Sequence, residues 1–286
     1  MVIDSTYYIK KEDKRMEKWQ YVAVDVDGTL LDDHDHYNVE RLNNDVQQLT
    51  AQGVHFIVAS GNSLDALKAI FAGSPLVNTF VAENGGRIIA DGYERFSQPH
   101  DRQTIKHLLD WERRLTPQPD LLSLSGAKQT FIAERFEGVP VPYYPHHAYF
   151  KSLADVGEPI FNLNLNWFKQ RPALSWIMSL ADQLNQRFPV VHATYSGAYG
   201  IDVLPTGVNK AVGLARLTKQ LGGKLDELVA FGDTANDLEM IQAAGCGYAM
   251  KNATSDLLTV ADRVTRDDNN HSGLLNEIER LFELTP

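Results

Sequence analysis

Along most of the chain, short apolar runs alternate with stretches in which hydrophobic residues recur every three or four positions. Tyr21-Val-Ala-Val24 is the first such run, β-rich and continuously apolar, as strands buried in a parallel sheet are. Leu42, Val46 and Leu49 then fall at i, i+4 and i+7, with Asn38 placed to cap the start of a helix and Gly53 to close it. Residues 54–59 predict a second buried strand, 63–72 a second helix and 79–82 a third strand. Strands and helices taking turns in this way predict a doubly wound α/β sheet.

The alternation lapses after residue 86. Segments 87–90 and 93–96 flank Asp91-Gly92, a pair that favours a tight type I′ hairpin. Helices are expected near 100–114, 145–155 and 172–187, among strands near 121–125, 161–166, 190–195 and 199–203. The βα pattern then resumes with a helix from Asn209 to Gly222-Gly223, a strand at 228–231, a helix over 237–244 and a last helix over 272–283. The fold class is therefore α/β: a doubly wound, Rossmann-like parallel-sheet core over 19–86 and 205–286, with an α+β domain inserted over 87–204. Residues 1–18 are charged and aperiodic, which predicts a tail outside the fold, with Met16 as an alternative start.

Composition narrows the partners. The 286 residues carry a formal charge of −10, which disfavours nucleic acid, because backbone binding needs a basic surface. No apolar stretch approaches the roughly 18 residues of a membrane span, and the N-terminus lacks a signal-peptide pattern, so a cytoplasmic protein with no membrane partner is expected. The single cysteine, Cys246, cannot form an internal disulfide and is expected to be buried. An acidic protein that binds an anion needs a local cation or a helix N-terminus where the anion sits.

Four patches meet that need. Asp25-Val-Asp27-Gly28-Thr29 follows a predicted strand, and ligands of open α/β sheets sit beyond the carboxyl ends of strands. A turn also explains Asp and Gly there. Two carboxylates that close repel by about 4 kcal/mol at an effective dielectric near 20, so a cation or a raised pKa is expected. Ser60-Gly61-Asn62 lies between the second strand and its helix, where a hydroxyl and backbone N–H groups suit a phosphate, although taken alone a helix cap with a turn glycine is the plainer reading. Lys210 lies in the first turn of a helix, where the dipole disfavours a cation unless an anion is bound; a surface lysine is the plainer reading. Asp233-Thr-Ala-Asn-Asp237 again follows a strand, and its two carboxylates suit Mg²⁺ better than helix capping alone requires.

With these four in order, the chain resembles the haloacid dehalogenase superfamily, whose motifs are a strand-end DxDGT, a strand-end Ser or Thr, a helix-borne Lys and a strand-end GDxxND. The insertion is similar to the α+β cap of the Cof-type subgroup. Segments 58–62 (VASGN), 81–85 (VAENG) and 267–273 (DDNNHSG) resemble its sugar-phosphatase branch. Many Cof-type members carry Arg where this chain has Asn62, a departure that bears on substrate choice. The resemblance implies Mg²⁺-dependent hydrolysis of a small phosphorylated metabolite, with a sugar phosphate foremost. Asp25 is then the nucleophile that becomes an aspartyl phosphate, and Asp27 the general acid and base. Ser60, Gly61, Lys210 and Asn236 hold the phosphoryl group. The metal ligands are the Asp25 carboxylate, the Asp27 backbone carbonyl, Asp233 and, through water, Asp237. A phosphomutase using the same chemistry and a receiver-like phospho-acceptor remain alternatives. His34, His36, His146, His147 and His192 show no spacing that pairs them with acids. They read as surface or packing residues, and His271 as a cap or a loop edging the site. Tyr143, Tyr144, Tyr149 and Phe150 read as cap core or as a sugar-pocket lining.

Overall fold

The computed structural model describes residues 19–141, 143–197 and 199–285; the expected tail and Met16 lie outside the described residues. The chain begins β1 (Tyr21–Val24), α1 (Val39–Ala51), β2 (His55–Ala59), α2 (Leu64–Ile70), β3 (Phe80–Ala82), β4 (Arg87–Ala90) and β5 (Tyr93–Ser97). It continues α3 (Arg102–Glu112), β6 (Leu121–Gly126), β7 (Thr130–Ala133), β8 (His147–Phe150), β9 (Ile160–Asn166), α4 (Leu174–Arg187), β10 (Val191–Tyr195) and β11 (Gly200–Pro205). It closes α5 (Lys210–Gln220), β12 (Leu228–Gly232), α6 (Leu238–Ala243), β13 (Cys246–Ala249), α7 (Ser255–Val260), β14 (Arg263–Val264) and α8 (Gly273–Phe282).

An eight-stranded sheet runs β14-β13-β12-β1-β2-β3-β4-β5, parallel except for β4 and β5. Its strands alternate between two buried layers because successive side chains point to opposite faces. Val22, Val24, Phe56 and Val58 pack with residues of α1, α2 and α8, while Tyr21, Ala23, Ile57 and Ala59 pack with α5, α6 and α7. Both faces being covered is why these strands read as unbroken apolar runs. The helix starts are capped as their sequence suggests: Asn38, Ser63 and Asn209 side chains each accept a first-turn N–H.

A second sheet runs β10-β11-β9-β6-β7-β8 and is covered on one face only, by α3 and α4. Leu122, Leu124, Leu163, Leu165, Ile201 and Val203 pack under those helices. The residues between them, Ser123, Ser125, Asn162, Asn164 and Asp202, form a polar face turned toward the larger sheet, to which it is tied by Ser125–Glu83 and Asn84–Asp202 hydrogen bonds. Two crossing segments join the sheets, and they are strapped to each other. Gln98 Nε2 donates to the Thr206 carbonyl at 3.1 Å, and His100 Nε2 to the Val203 carbonyl at 2.8 Å.

The structure corrects the sequence reading in three places. Asp91 and Gly92 do turn a hairpin with positive φ at both positions, but β4 and β5 extend the core sheet beside β3, so the inserted domain starts after β5 and not at 87. The helix expected over 145–155 is strand β8, paired in parallel with β7, followed by a single 3₁₀ turn, Leu153–Asp155. Tyr149 and Leu153 stand four apart and imitate helical spacing, whereas the strand is held by backbone pairing that spacing does not report. Strands β7, β13 and β14 and helix α7 were not anticipated. Cys246 is buried on β13, as expected.

Candidate active site

The neighbouring strands β12, β1 and β2 end at one edge of the core sheet, on either side of the point where strand order reverses, the place where open α/β sheets bind ligands. Asp25 leaves β1 with its N–H on the Phe231 carbonyl, Asp233 follows β12 and Ser60 follows β2. Lys210, the first residue of α5, has no solvent exposure, and its Nζ lies 2.6 Å from Asp25 Oδ1 and 2.6 Å from Asp237 Oδ1. Two carboxylates thus offset the cost of burying a cation at a helix N-terminus. Burial pulls the Lys210 pKa down, but Asp237 and Asp25 outweigh it and hold it above its ordinary value.

Acids outnumber cations here. Ligand oxygens of Asp25, Asp233 and Asp237 all lie within 4.8 Å of one another. Burial, and then repulsion from Asp237, push the Asp25 carboxyl well above the usual range, against the pull of Lys210. The same two causes push Asp233 up to about 7. Asp237 is committed on both oxygens: Oδ1 takes the Lys210 ammonium, and Oδ2 accepts the N–H groups of Asp233 and Thr234. Among the described residues, the buried Asp233 carboxylate has only a long 3.4 Å bond from the Thr29 hydroxyl. Three hard oxygen donors with one compensating lysine fit a divalent cation such as Mg²⁺.

Gly28 shows why the Asp-x-Asp-Gly turn needs glycine. Its φ is +72°, and a Cβ there would overlap the Asp233 carboxylate. Gly232 is constrained in the same way, since a Cβ would strike the Asp237 carboxylate.

Ser60 is buried, and its hydroxyl oxygen accepts the Asn62 N–H at 3.1 Å, leaving the hydroxyl proton to another acceptor. Asn62 Nδ2 donates to Asp27 Oδ2 at 2.6 Å. Burial raises the Asp27 pKa, and the Asn62 bond and Lys210 oppose it. Water reaches this side chain, so burial acts on it less than on Asp25. Asn236 lies in the same loop cluster, but its amide nitrogen is 3.2 Å from Asn84 Oδ1, pointing to the core–cap junction.

That junction is the part of the site the sequence did not disclose. Asp202 of the second sheet accepts from Asn162 and Asn164 on Oδ1 and from Asn84 on Oδ2, each at 2.8 Å. A Cβ on Gly61 would lie 3.1 Å from Asp202 Oδ2, so the polar face of the cap sits directly over the Ser60-Gly61 turn. Glu83 is buried beside it, accepts from the Ser125 hydroxyl at 2.7 Å, and is pushed up to about 7 by burial, against the pull of Ser125 and Arg87. Glu83 and Asn84 both adopt left-handed φ, at 52° and 50°. One signal was available: Asn162-Leu-Asn-Leu-Asn166 repeats with period two and marks one polar and one apolar strand face.

Among the histidines, His146 does meet an acid, contrary to its spacing: Nδ1 lies 2.9 Å from Asp65 Oδ1, linking the inserted domain to the first turn of α2. His271 pairs with Asp268, three residues before it, in a local cap. Tyr144 reaches the site side of the cap, with its hydroxyl 2.9 Å from Ser123 Oγ, whereas Phe150 is core and Tyr143 and Tyr149 are exposed.

The profile of the haloacid dehalogenase-like hydrolase family matches residues 22–278. YbjI of Escherichia coli strain K12, a 5-amino-6-(5-phospho-D-ribitylamino)uracil phosphatase, is 30% identical over 271 residues, 92% of this chain and 96% of that protein. YitU of Bacillus subtilis strain 168, named for the same activity, is 25% identical over 281 residues, 92% of this chain and 97% of its own. The crystal structure of SMU.1108c from Streptococcus mutans UA159 superposes with a TM-score of 0.81 at 28% identity, over 92% of this chain and 99% of that one. The chain belongs to the haloacid dehalogenase-like hydrolases and is a Cof-type phosphatase. Among the described residues, no helix is long and apolar enough to cross a membrane.

Proposed function

We propose that the protein hydrolyses phosphate monoesters of small polyhydroxylated metabolites, sugar or sugar-alcohol phosphates, in a Mg²⁺-dependent reaction through a phosphorylated Asp25. The observation that carries this reading is the buried Lys210 bridging Asp25 and Asp237 at the end of the central strand, with Asp233 alongside. An Asp25 oxygen attacks phosphorus, the ester P–O bond breaks, and the leaving oxygen takes a proton from Asp27. Asp27 then removes a proton from the water that hydrolyses the acyl phosphate. Lys210 keeps its proton throughout and offsets the charge of the phosphoryl group, while the Ser60 hydroxyl and the N–H groups around Gly61 hold its oxygens. Asn236 assists at the rim. Asp25, Asp233 and the Asp27 backbone carbonyl would hold Mg²⁺, with Asp237 acting through water; the ion supplies further neutralisation of phosphate charge. The cap would exclude water during the first transfer.

Two findings support a polyhydroxylated substrate. The cap presents hydroxyl and amide groups over the site, and YbjI and YitU are named for a phosphoribityl compound. Phosphate release should be assayed over sugar phosphates, phosphoribitylaminouracil and simple alkyl phosphates, with Mg²⁺ and with chelator. Release from sugar-type esters only with Mg²⁺ is expected. Full activity in chelator, or turnover by Asp25→Asn, would overturn the reading.

A further inference from the structure

We infer that Asn62 is a positioning residue for proton transfer, holding Asp27 so that its second oxygen faces the leaving group. The inference rests on the reading of Asp27 as general acid. Asp27 follows the last residues of β1 at a position open to water, where a short carboxylate has several rotamers of similar energy. Among the described residues, Asn62 is the only other residue whose side chain is hydrogen-bonded to it, at 2.6 Å on Oδ2. An amide nitrogen donates and does not accept, so it selects an unprotonated oxygen. The proton of a neutral Asp27 is thereby left to Oδ1.

Asn62 is fixed for this purpose from both ends of its backbone. Its N–H donates to Ser60 Oγ at 3.1 Å, and its carbonyl accepts the Glu83 N–H at 3.1 Å. One three-residue turn therefore carries both the Ser60 hydroxyl, assigned above to the phosphoryl group, and the amide that aims the acid. Asn62, which departs from the Arg of many Cof-type relatives, thus acts on the chemistry of the leaving group.

The step at issue is P–O cleavage, in which the bonding pair passes to the ester oxygen and the Asp27 proton joins it. A poor alkoxide leaving group needs that proton in the transition state, and p-nitrophenolate does not. The test compares kcat/KM of wild type, Asn62→Ala, Asn62→Asp and Asn62→Gln on an alkyl or sugar phosphate and on p-nitrophenyl phosphate, with Asp27→Asn as reference. Asn62→Ala and Asn62→Asp should lose about 10- to 100-fold on the alkyl ester and less than about 3-fold on the aryl ester. Inhibition by inorganic phosphate should be unchanged, and Asn62→Gln, which keeps the donor, should recover part of the loss. Equal losses on both esters, or none, in a folded Asn62→Ala would overturn the inference while leaving Asp27 as the acid. If Asp27→Asn itself retains full activity on the alkyl ester, the acid assignment fails and the inference with it.

Discussion

Lys210 is the residue on which site and core depend together, and Lys210→Met separates its two contributions. In chelator at pH 8, the substitution removes the cation 2.6 Å from both Asp25 and Asp237 and leaves their carboxylates buried without it. Breaking a buried pair from one side costs about 3–5 kcal/mol. Methionine roughly conserves volume, so a cavity adds little. At about 2–4 °C per kcal/mol for a chain of this size class, the melting temperature should fall by on the order of 10 °C. The sign of the pH dependence follows from the carboxylates. Asp25 and Asp233 already lie above their ordinary values, and losing the lysine raises them further. The folded mutant then binds more protons than its unfolded chain, so its stability falls as pH rises, and the gap to wild type should narrow at pH 5.5. Thermal unfolding followed by circular dichroism at both pH values measures this, and phosphatase assays should show a loss of at least about 10³-fold. A mutant melting within about 2 °C of wild type at pH 8 would refute the electrostatic account of the site.

Three further outcomes are expected. Gly28→Ala should keep a native circular dichroism spectrum but lose at least about 10-fold in kcat/KM, because a left-handed φ and the Asp233 carboxylate both resist a Cβ; wild-type turnover would show that the turn yields. Asp45 on α1 is buried, has no hydrogen-bond partner on either oxygen among the described residues, and is pushed up to about 7 by burial and then by Glu279. Its ionisation opposes folding as pH rises from the ordinary carboxylate range toward that value, so Asp45→Asn should stabilise by about 1–3 kcal/mol at pH 8 and progressively less as pH falls toward about 4 in denaturant titrations. A pH-independent effect would sink that account. Asp202→Ala should lower kcat/KM for sugar-type esters more than for p-nitrophenyl phosphate, since it frees two amide groups on the cap face and that of Asn84 on the core; equal effects on both would make Asp202 a packing residue.

What the sequence disclosed follows from distance along the chain. Strands β1, β2 and β12 are covered on both faces, so each is a continuous apolar run that ends beside a chemical patch. For that reason three of the four patches were legible. Lys210 was legible as an anomaly, a cation at a helix start, but the expected remedy was a bound phosphate. The structure supplies two carboxylates instead, Asp25 just after β1, 185 positions away, and Asp237 at the start of α6, 27 positions away. Ser123, Asn162, Asp202 and Asn84 become one surface only through strand pairing and the meeting of two sheets, which no local pattern encodes. Asn62 was visible, but its partner Asp27 lies 35 positions away across two strands. Strand β13 escaped because Cys-Gly-Tyr-Ala is too short and too Gly-containing to stand out.

The strapped crossing segments have a consequence for inheritance. With Gln98 bonded to Thr206, the intervening chain leaves and re-enters the core at one spot, so the core experiences it as a closed loop whatever its length or shape. Lineages can therefore exchange or resize the lid without redrawing the bond-breaking machinery beneath it. Molecular choice and chemical power would then evolve as separable parts, joined by one doorway in the chain and a few polar contacts across the junction.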